Sequence, residues 1–138
     1  MKKLLISFFL ILIPILIYSQ NFTRQDSLRG SVTPQRAWWD LTYYHLDISV
    51  DPDIRYIKGS NTVQYKVLKP NDEMQIDLQE PLKITKITQD GNELNFRSEG
   101  YSHFIKLKKK QKKDKIKSIK IHYEGNPKIG MIISIQKL

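Results

Sequence analysis

The sequence contains no cysteine, which excludes disulfides, thiol nucleophiles, thiolate metal sites and lipid-anchored cysteines. It also has no G-x-S-x-G nucleophile elbow and no glycine-rich phosphate loop. Its only histidines are His45, His103 and His122, and no two of them have the H-x-H or H-x-x-x-H spacing of a metal-ligand pair. A chain of 138 residues is too short for a two-domain enzyme. The sequence by itself therefore supplies no catalytic or metal-binding site.

Acidic residues are scarce in one part of the chain, between Lys106 and Lys120, which holds nine lysines and a single aspartate, Asp114. Most of the formal net charge of +9 comes from this lysine-rich segment. One interpretation is the solvated tip of a hairpin, because like charges repel and exposed lysines discourage edge-to-edge strand pairing.

The other interpretation of the lysine-rich segment is a contact with a polyanion or with anionic lipid. Specific nucleic-acid binding is not expected, because no aromatic residue for base stacking lies between Lys108 and Ser118. The candidate contact residues are Lys108, Lys109, Lys110, Lys112, Lys113 and Lys115.

The N-terminus has the three parts of a secretory signal peptide. Lys2 and Lys3 precede an apolar run from Leu4 to Ile17, and small polar residues follow at Ser19 and Gln20. As a helix, an apolar run of about 14 residues rises only about 21 Å, less than the roughly 30 Å of a bilayer core. We therefore predict a helical signal peptide over residues 1–20 and export to the periplasm or the exterior.

Residues 21–38 show no apolar period and are predicted to form an extended N-terminal arm. The pattern then changes to alternation, which is typical of half-buried strands. Turn residues separate the strands at Asp51-Pro52-Asp53, Asp90-Gly91 and Glu99-Gly100. The side chains predicted to face the core are Tyr44, Leu46, Ile48, Val50, Val63, Tyr65, Val67, Met74, Ile76, Leu78, Leu94, Phe96, Ile119, Ile121 and Tyr123.

Seven strands are predicted between Trp38 and Tyr123, and no helical period occurs among them. Gly59-Ser60 predicts a bulge or a close backbone approach, and the opposite parity of Ile84 and Ile87 predicts a bulge or burial on both faces. The fold class is thus all-β, an antiparallel sandwich or saddle-shaped sheet.

The order of these strands resembles the N-terminal β domain of the zinc aminopeptidase N family, the gluzincin peptidases that include membrane alanyl aminopeptidase. The likeness covers residues 39–128. It rests on the runs Tyr43-Tyr44-His45-Leu46-Asp47-Ile48-Ser49-Val50-Asp51-Pro52, Ile57-Lys58-Gly59-Ser60, Met74-Gln75-Ile76-Asp77-Leu78, Leu82-Lys83-Ile84-Thr85-Lys86-Ile87, Asp90-Gly91 and Ile119-Lys120-Ile121-His122-Tyr123-Glu124-Gly125-Asn126-Pro127.

The resemblance implies an exported peptidase that removes N-terminal residues from peptides. Family members hold zinc with H-E-x-x-H and a downstream glutamate, and bind the substrate amine with G-x-M-E-N. This chain contains neither motif, so no site residue is carried over. Zinc and a peptide substrate are expected only in the full-length family, and this chain is predicted to bind no cofactor and to be inactive alone.

Residues 129–138 match nothing that the family shows after its Tyr-x-Gly-x-Pro motif. The hypothesis is a truncated first domain, whose unpaired strand edges would favour self-association. A naturally short domain, with Met131 to Ile135 as a final edge strand, is the other explanation. From a different functional class, the alternative is a secreted β-sandwich binding module that contacts polyanions or anionic lipid through a lysine-rich hairpin.

Overall fold

The computed structural model describes residues 22–128. The predicted signal peptide (1–20) and the C-terminal residues 129–138 lie outside this range. The described elements are a short helix, α1 (Arg24–Gly30), and eight strands: β1 (Trp39–Asp51), β2 (Tyr56–Val67), β3 (Glu73–Asp77), β4 (Lys83–Gln89), β5 (Asn92–Glu93), β6 (Asn95–Glu99), β7 (Ser102–Lys106) and β8 (Ile116–Gly125).

The strands form two antiparallel sheets, which confirms the all-β prediction. The five-stranded sheet has the order β1-β2-β8-β4-β5, and the three-stranded sheet has the order β3-β7-β6. Side chains from both sheets meet in one core, where Tyr65 and Ile119 of the larger sheet pack with Met74 and Ile105 of the smaller one. No helix within residues 22–128 is long and apolar enough to span a membrane.

The predicted turns are confirmed by their hydrogen bonds and backbone angles. The Asp51 carboxylate accepts hydrogen bonds from the backbone amides of Asp53 and Ile54, at 3.1 and 3.4 Å. Asp90 and Gly91 have φ values of 50° and 79°, as a two-residue hairpin between β4 and β5 requires. These local residues therefore determine where the chain reverses.

The strand predicted from Asn92 to Arg97 divides in two, which gives eight strands instead of seven. Its first part pairs with β4 in the larger sheet as β5, and its second part pairs with β7 in the smaller sheet as β6. Leu94, between the two parts, is 3% exposed and belongs to the core. The chain thus changes sheets at a buried apolar residue.

The predicted backbone irregularities are confirmed in β2 and β4. A Cβ atom on Gly59 would lie 2.1 Å from the carbonyl oxygen of Asp47, so only glycine allows the close approach of β1 and β2 there. In β4, the register against β8 shifts between Ile84 and Lys86. A further shift in β1, between Leu41 and Tyr43, was not predicted.

The N-terminal arm is not simply extended, contrary to the prediction for residues 21–38. Thr23 and Asp26 form a reciprocal capping box that starts α1, and Leu28 is the buried residue of this helix. Arg24 pairs with Glu99, and Gln75 donates a hydrogen bond to the carbonyl oxygen of Leu28 at 3.2 Å. The sequence does not predict this helix, because a helix of seven residues with one buried side chain shows no apolar period.

The prediction that β1 is half-buried is wrong. Tyr44, Leu46, Ile48 and Val50 share the face of the larger sheet that carries the core, but 47–64% of each residue is exposed. In contrast, Val63, Tyr65 and Val67 on β2 are buried as predicted. The smaller sheet covers only one part of the larger sheet, so alternation alone did not predict burial.

Candidate functional site

The lysine-rich segment is not a hairpin, contrary to the prediction. It connects β7 of the smaller sheet to β8 of the larger sheet, so the strands on its two sides do not pair with each other. Both flanking strands carried alternating apolar residues, and that pattern cannot distinguish a hairpin from a connection between sheets. The lysines consequently lie at the junction of the two layers.

Backbone hydrogen bonds hold this connection against the rest of the domain. The amides of Leu107 and Gln111 donate to the carbonyl oxygens of Asp72 and Asn71, each at 2.8 Å. The amide of Asp114 donates to the carbonyl oxygen of Val67 at 2.8 Å, and Asp114 has a φ of 62°. The connection therefore has a defined path despite its charge.

Gln111 is the residue of this connection that sequence analysis missed. It is 8% exposed, whereas the lysines on either side of it are exposed. Its Nε2 atom donates to the carbonyl oxygen of Lys109 at 2.6 Å. The only signal for Gln111 in the sequence was that it is the one uncharged residue between Lys108 and Asp114.

The connection borders an open groove of about 530 Å³, which we call the lysine groove. Gln89, Asp90 and Asn92, at the turn between β4 and β5, also line it. Lys117 lines the groove and lies 3.4 Å from Asp90. Of the six predicted contact residues, the structure places five in the lining and leaves Lys113 out of it: Lys108, Lys109, Lys110, Lys112 and Lys115.

Among residues 22–128, the six predicted lysines take part in no ion pair within 4.0 Å, whereas their neighbours do. The Lys106 ammonium lies 2.9 Å from the Asp72 carboxylate, and Lys66 lies 3.9 Å from Asp114. Within the described part of the chain, the lysine groove thus presents five lysines without an ion-pair partner, and its one carboxylate, that of Asp90, is already paired with Lys117. Such a surface attracts anions most strongly at low salt.

The histidines do not form a zinc site in the described chain. His45 is exposed on β1, and His122 lies on β8 of the same sheet. His103 lies on the smaller sheet, with its Nδ1 atom 2.8 Å from the Ser98 hydroxyl, and burial lowers its pKa. Residues 22–128 contain no group of three or more His, Cys, Asp or Glu side chains placed to hold a metal ion. The side chains between residues 22 and 128 therefore do not offer the ligand set that zinc requires.

A second cleft, of about 330 Å³, opens between the two sheets. It is lined by Trp39, Tyr44, Asn61 and Asp77, among others. The Asn61 Oδ1 atom is buried without a hydrogen-bond partner in the described structure. The cleft lies where the smaller sheet stops covering the larger one.

Comparison of the sequence finds no matching protein-family model and no matching curated protein. The structure, in contrast, matches a mutant M1 zinc metallopeptidase from Deinococcus radiodurans, solved with a Tyr-Ser-Ala substrate. The match has a TM-score of 0.61 and 14% identity, and covers 70% of this chain and 22% of that one. The chain has the fold of an M1 metallopeptidase N-terminal domain.

The chain also resembles leukotriene A4 hydrolase from Saccharomyces cerevisiae, with a TM-score of 0.54 and 22% identity over 64% of this chain and 15% of that one. The yeast enzyme in complex with bestatin gives a TM-score of 0.55 and 23% identity. The chain therefore spans less than a quarter of the length of each of these proteins.

Proposed function

We propose that this chain is the non-catalytic N-terminal β-domain part of an exported zinc aminopeptidase, a metal-dependent enzyme that removes N-terminal residues from peptides. The fold match over 70% of the chain to an M1 zinc metallopeptidase carries this proposal. The strand order, the Asp-Gly hairpin and the Tyr-x-Gly-x-Pro end of β8 support it from the sequence.

On this proposal, the chain by itself does not hydrolyse peptides. Zinc-dependent peptide hydrolysis needs an ion that lowers the pKa of bound water and a nearby base that takes the proton. Neither H-E-x-x-H nor G-x-M-E-N occurs in the sequence, and the three histidines lie apart on two sheets. The described domain supplies a scaffold and surfaces instead of a reaction centre.

The activity prediction is tested on the purified chain after addition of zinc. We expect no release of a chromogenic aminoacyl reporter above the buffer rate and no stoichiometric zinc after gel filtration. A zinc aminopeptidase of the same fold serves as positive control. Turnover that disappears with a chelator, together with one tightly bound zinc per chain, would contradict the proposal.

The lysine groove favours a second candidate function, a secreted module that binds polyanions or anionic lipid. Five exposed lysines line one groove, and hydrogen bonds to Asn71, Asp72 and Val67 fix the backbone that carries them. A fixed array of cations binds an anionic polymer by releasing its counterions, so the affinity falls steeply with salt. Binding of this kind requires no catalytic group.

Retention on heparin at increasing salt tests the second function. We expect the wild-type chain to be retained, and Lys108→Gln, Lys110→Gln and Lys112→Gln combined to reduce the slope of log affinity against log salt by about 3. The matched control combines Lys58→Gln, Lys83→Gln and Lys120→Gln, three exposed lysines outside the groove lining. Equal losses of heparin retention in both triple variants would show that net charge alone causes the retention. That result would reject the lysine groove as the binding site.

A further inference from the structure

The larger sheet ends at β1, and no strand among residues 22–128 lies on the outer edge of β1. β1 has 13 residues, more than any other strand of the described domain, and contains no lysine, arginine or proline. Within that domain its backbone makes hydrogen bonds only to β2. Natural sheets block their edges with lysine, with proline or with very short strands, so the edge of β1 is open to another strand.

The other sheet edges of the described domain are short or occupied. β5 is only two residues long. On the smaller sheet, residues of the N-terminal arm contact both edge strands. The Gln75 amide of β3 donates to the Gln35 carbonyl oxygen at 3.1 Å, and the Glu99 carbonyl oxygen of β6 accepts from the Gln25 side chain at 3.3 Å. β1 is therefore the long edge that the described residues leave without a neighbour.

The two faces of β1 differ in chemistry. Tyr44, Leu46 and Ile48 lie on the core face of the larger sheet, with exposed fractions of 49, 58 and 47%. His45 and Asp47 alternate with them on the opposite face, and both are exposed. A strand that pairs with β1 must therefore bring apolar side chains to one face and complementary polar side chains to the other.

A second copy of β1 meets both requirements when a two-fold axis passes through Leu46. In an antiparallel pair of this symmetry, each residue faces the residue equally far on the other side of the axis. On the apolar face, Leu46 then faces its own copy and Tyr44 faces Ile48. On the other face, His45 faces Asp47, so that an imidazole N–H can donate to a carboxylate twice in each pair of molecules.

Other positions of the axis fit this strand less well. An axis at Asp47 places two carboxylates opposite each other. An axis at His45 places Asp47 opposite Tyr43, away from the imidazole. An axis at Ile48 places His45 opposite Asp51, whose carboxylate already accepts two backbone amides of the following turn. The axis at Leu46 is thus the one that pairs an unengaged carboxylate with the histidine.

We propose that two copies of this chain pair antiparallel through β1, with the two-fold axis at Leu46. The pairing covers residues 43–49, which lie between the register shift at Leu41 and Tyr43 and the turn after Asp51. A pair of this length adds about six to eight backbone hydrogen bonds, and it joins two five-stranded sheets into one continuous sheet. The self-association that the sequence led us to expect is thereby assigned to one edge.

The absence of cysteine allows this register to be tested by single substitutions in the full chain. Leu46→Cys lies on the axis, and facing residues have Cβ atoms about 4.5–5.5 Å apart, so mild oxidation should link two copies by a disulfide. Ile48→Cys on the same face is the matched control, because its two copies lie about 14 Å apart in this register. We expect about tenfold less linked dimer from the control. A mixture of Tyr44→Cys and Ile48→Cys should form the mixed disulfide that neither variant forms with itself.

Sedimentation at increasing protein concentration measures the association without a crosslink. We expect a reversible monomer–dimer equilibrium for the wild-type chain. Leu46→Lys places two ammonium groups opposite each other and should raise the dimer Kd by at least about tenfold. The matched control is Ile116→Lys, because Ile116 is 61% exposed on the inner strand β8, and this variant should leave the Kd unchanged. Thermal unfolding of each variant shows that the fold persists.

The polar face of the pairing is tested by a charge exchange. His45→Asp places aspartates at positions 45 and 47 opposite each other and should raise the dimer Kd by about tenfold. The double variant His45→Asp with Asp47→His restores the same pairing in reverse, so it should recover most of the affinity. A double variant as weak as His45→Asp alone would contradict the proposed register.

Other results would overturn the proposal. These are a chain that stays monomeric up to about 1 mM, equal self-linking of Leu46→Cys and Ile48→Cys, and an equal Kd for Leu46→Lys and Ile116→Lys. A monomer whose Leu46→Cys thiol resists a thiol reagent would assign the edge to another segment of the same chain and would also overturn it. None of these measurements depends on peptide hydrolysis, so the proposed dimer can fail while the proposed function stands.

Discussion

Trp38→Ala should lower the free energy of unfolding by about 3–5 kcal/mol, the range for removing a buried large aromatic side chain. Trp38 is 2% exposed, and its ring meets the edge of the Tyr65 ring with centroids 5.8 Å apart. Its Nε1 atom donates to the carbonyl oxygen of Glu73 at 2.7 Å. The residue precedes β1 of the larger sheet and bonds to β3 of the smaller one, so its loss weakens the packing of the two layers.

Urea unfolding followed by circular dichroism measures this effect. Trp38→Phe keeps an aromatic ring but leaves the Glu73 carbonyl oxygen without its donor, so we expect an intermediate loss of about 1–3 kcal/mol. Val32→Ala is the control for apolar truncation, because Val32 is 77% exposed, and it should change stability by less than about 0.5 kcal/mol. A Trp38→Ala chain within about 1 kcal/mol of wild type, which is about a third of the smallest loss expected here, would mean that the ring does not connect the sheets.

The second large effect is a loss of stability at alkaline pH that originates at Tyr65. Burial raises the pKa of this phenol to about 12, although the hydrogen bond donated by the Gln89 amide opposes the rise. The folded protein therefore retains the proton at pH values where the unfolded chain, with a pKa near 10, has lost it. Stability is fully present below about pH 10 and falls as the pH rises toward about 12.

Two pKa units correspond to about 2.7 kcal/mol, and we expect a loss of about 2 kcal/mol attributable to Tyr65. The measurement is the free energy of unfolding in urea at pH values from about 9 to about 12. Tyr65→Phe is the matched control, since it keeps the ring and removes the ionisable hydroxyl. Its stability should fall less over this range, although it starts lower because the buried Gln89 amide loses its acceptor. Parallel pH curves for the two proteins would exclude Tyr65 as the cause.

Much of the fold follows from local patterns that act over a few residues. The Asp51 and Asp90-Gly91 turns, the inward face of β2 and the irregularity of β4 all agree with the sequence. Each depends on backbone conformation or on alternation within one strand.

The features that sequence analysis missed depend on contacts between distant segments. Helix α1 is held by Glu99 and Gln75, which lie more than 45 residues away along the chain. Gln111 is buried where its backbone amide donates a hydrogen bond to the carbonyl oxygen of Asn71. The lysine groove requires Gln89 of β4 and Asn92 of β5 to lie beside the β7–β8 connection. None of these pairings leaves a period or a motif in the sequence.

The sequence by itself determined the all-β class and the positions of most strands and turns, because these depend on alternation and on residues close together in the chain. It also showed the lack of cysteine and of an H-E-x-x-H motif, which are matters of composition and spacing. Only the tertiary structure decided which face of each strand is covered, that the lysines connect two sheets instead of closing a hairpin, and that the apolar side chains of β1 stay exposed. The physical reason is that period two places a side chain on a face, whereas burial requires another layer over that face, and strands far apart in the sequence supply that layer.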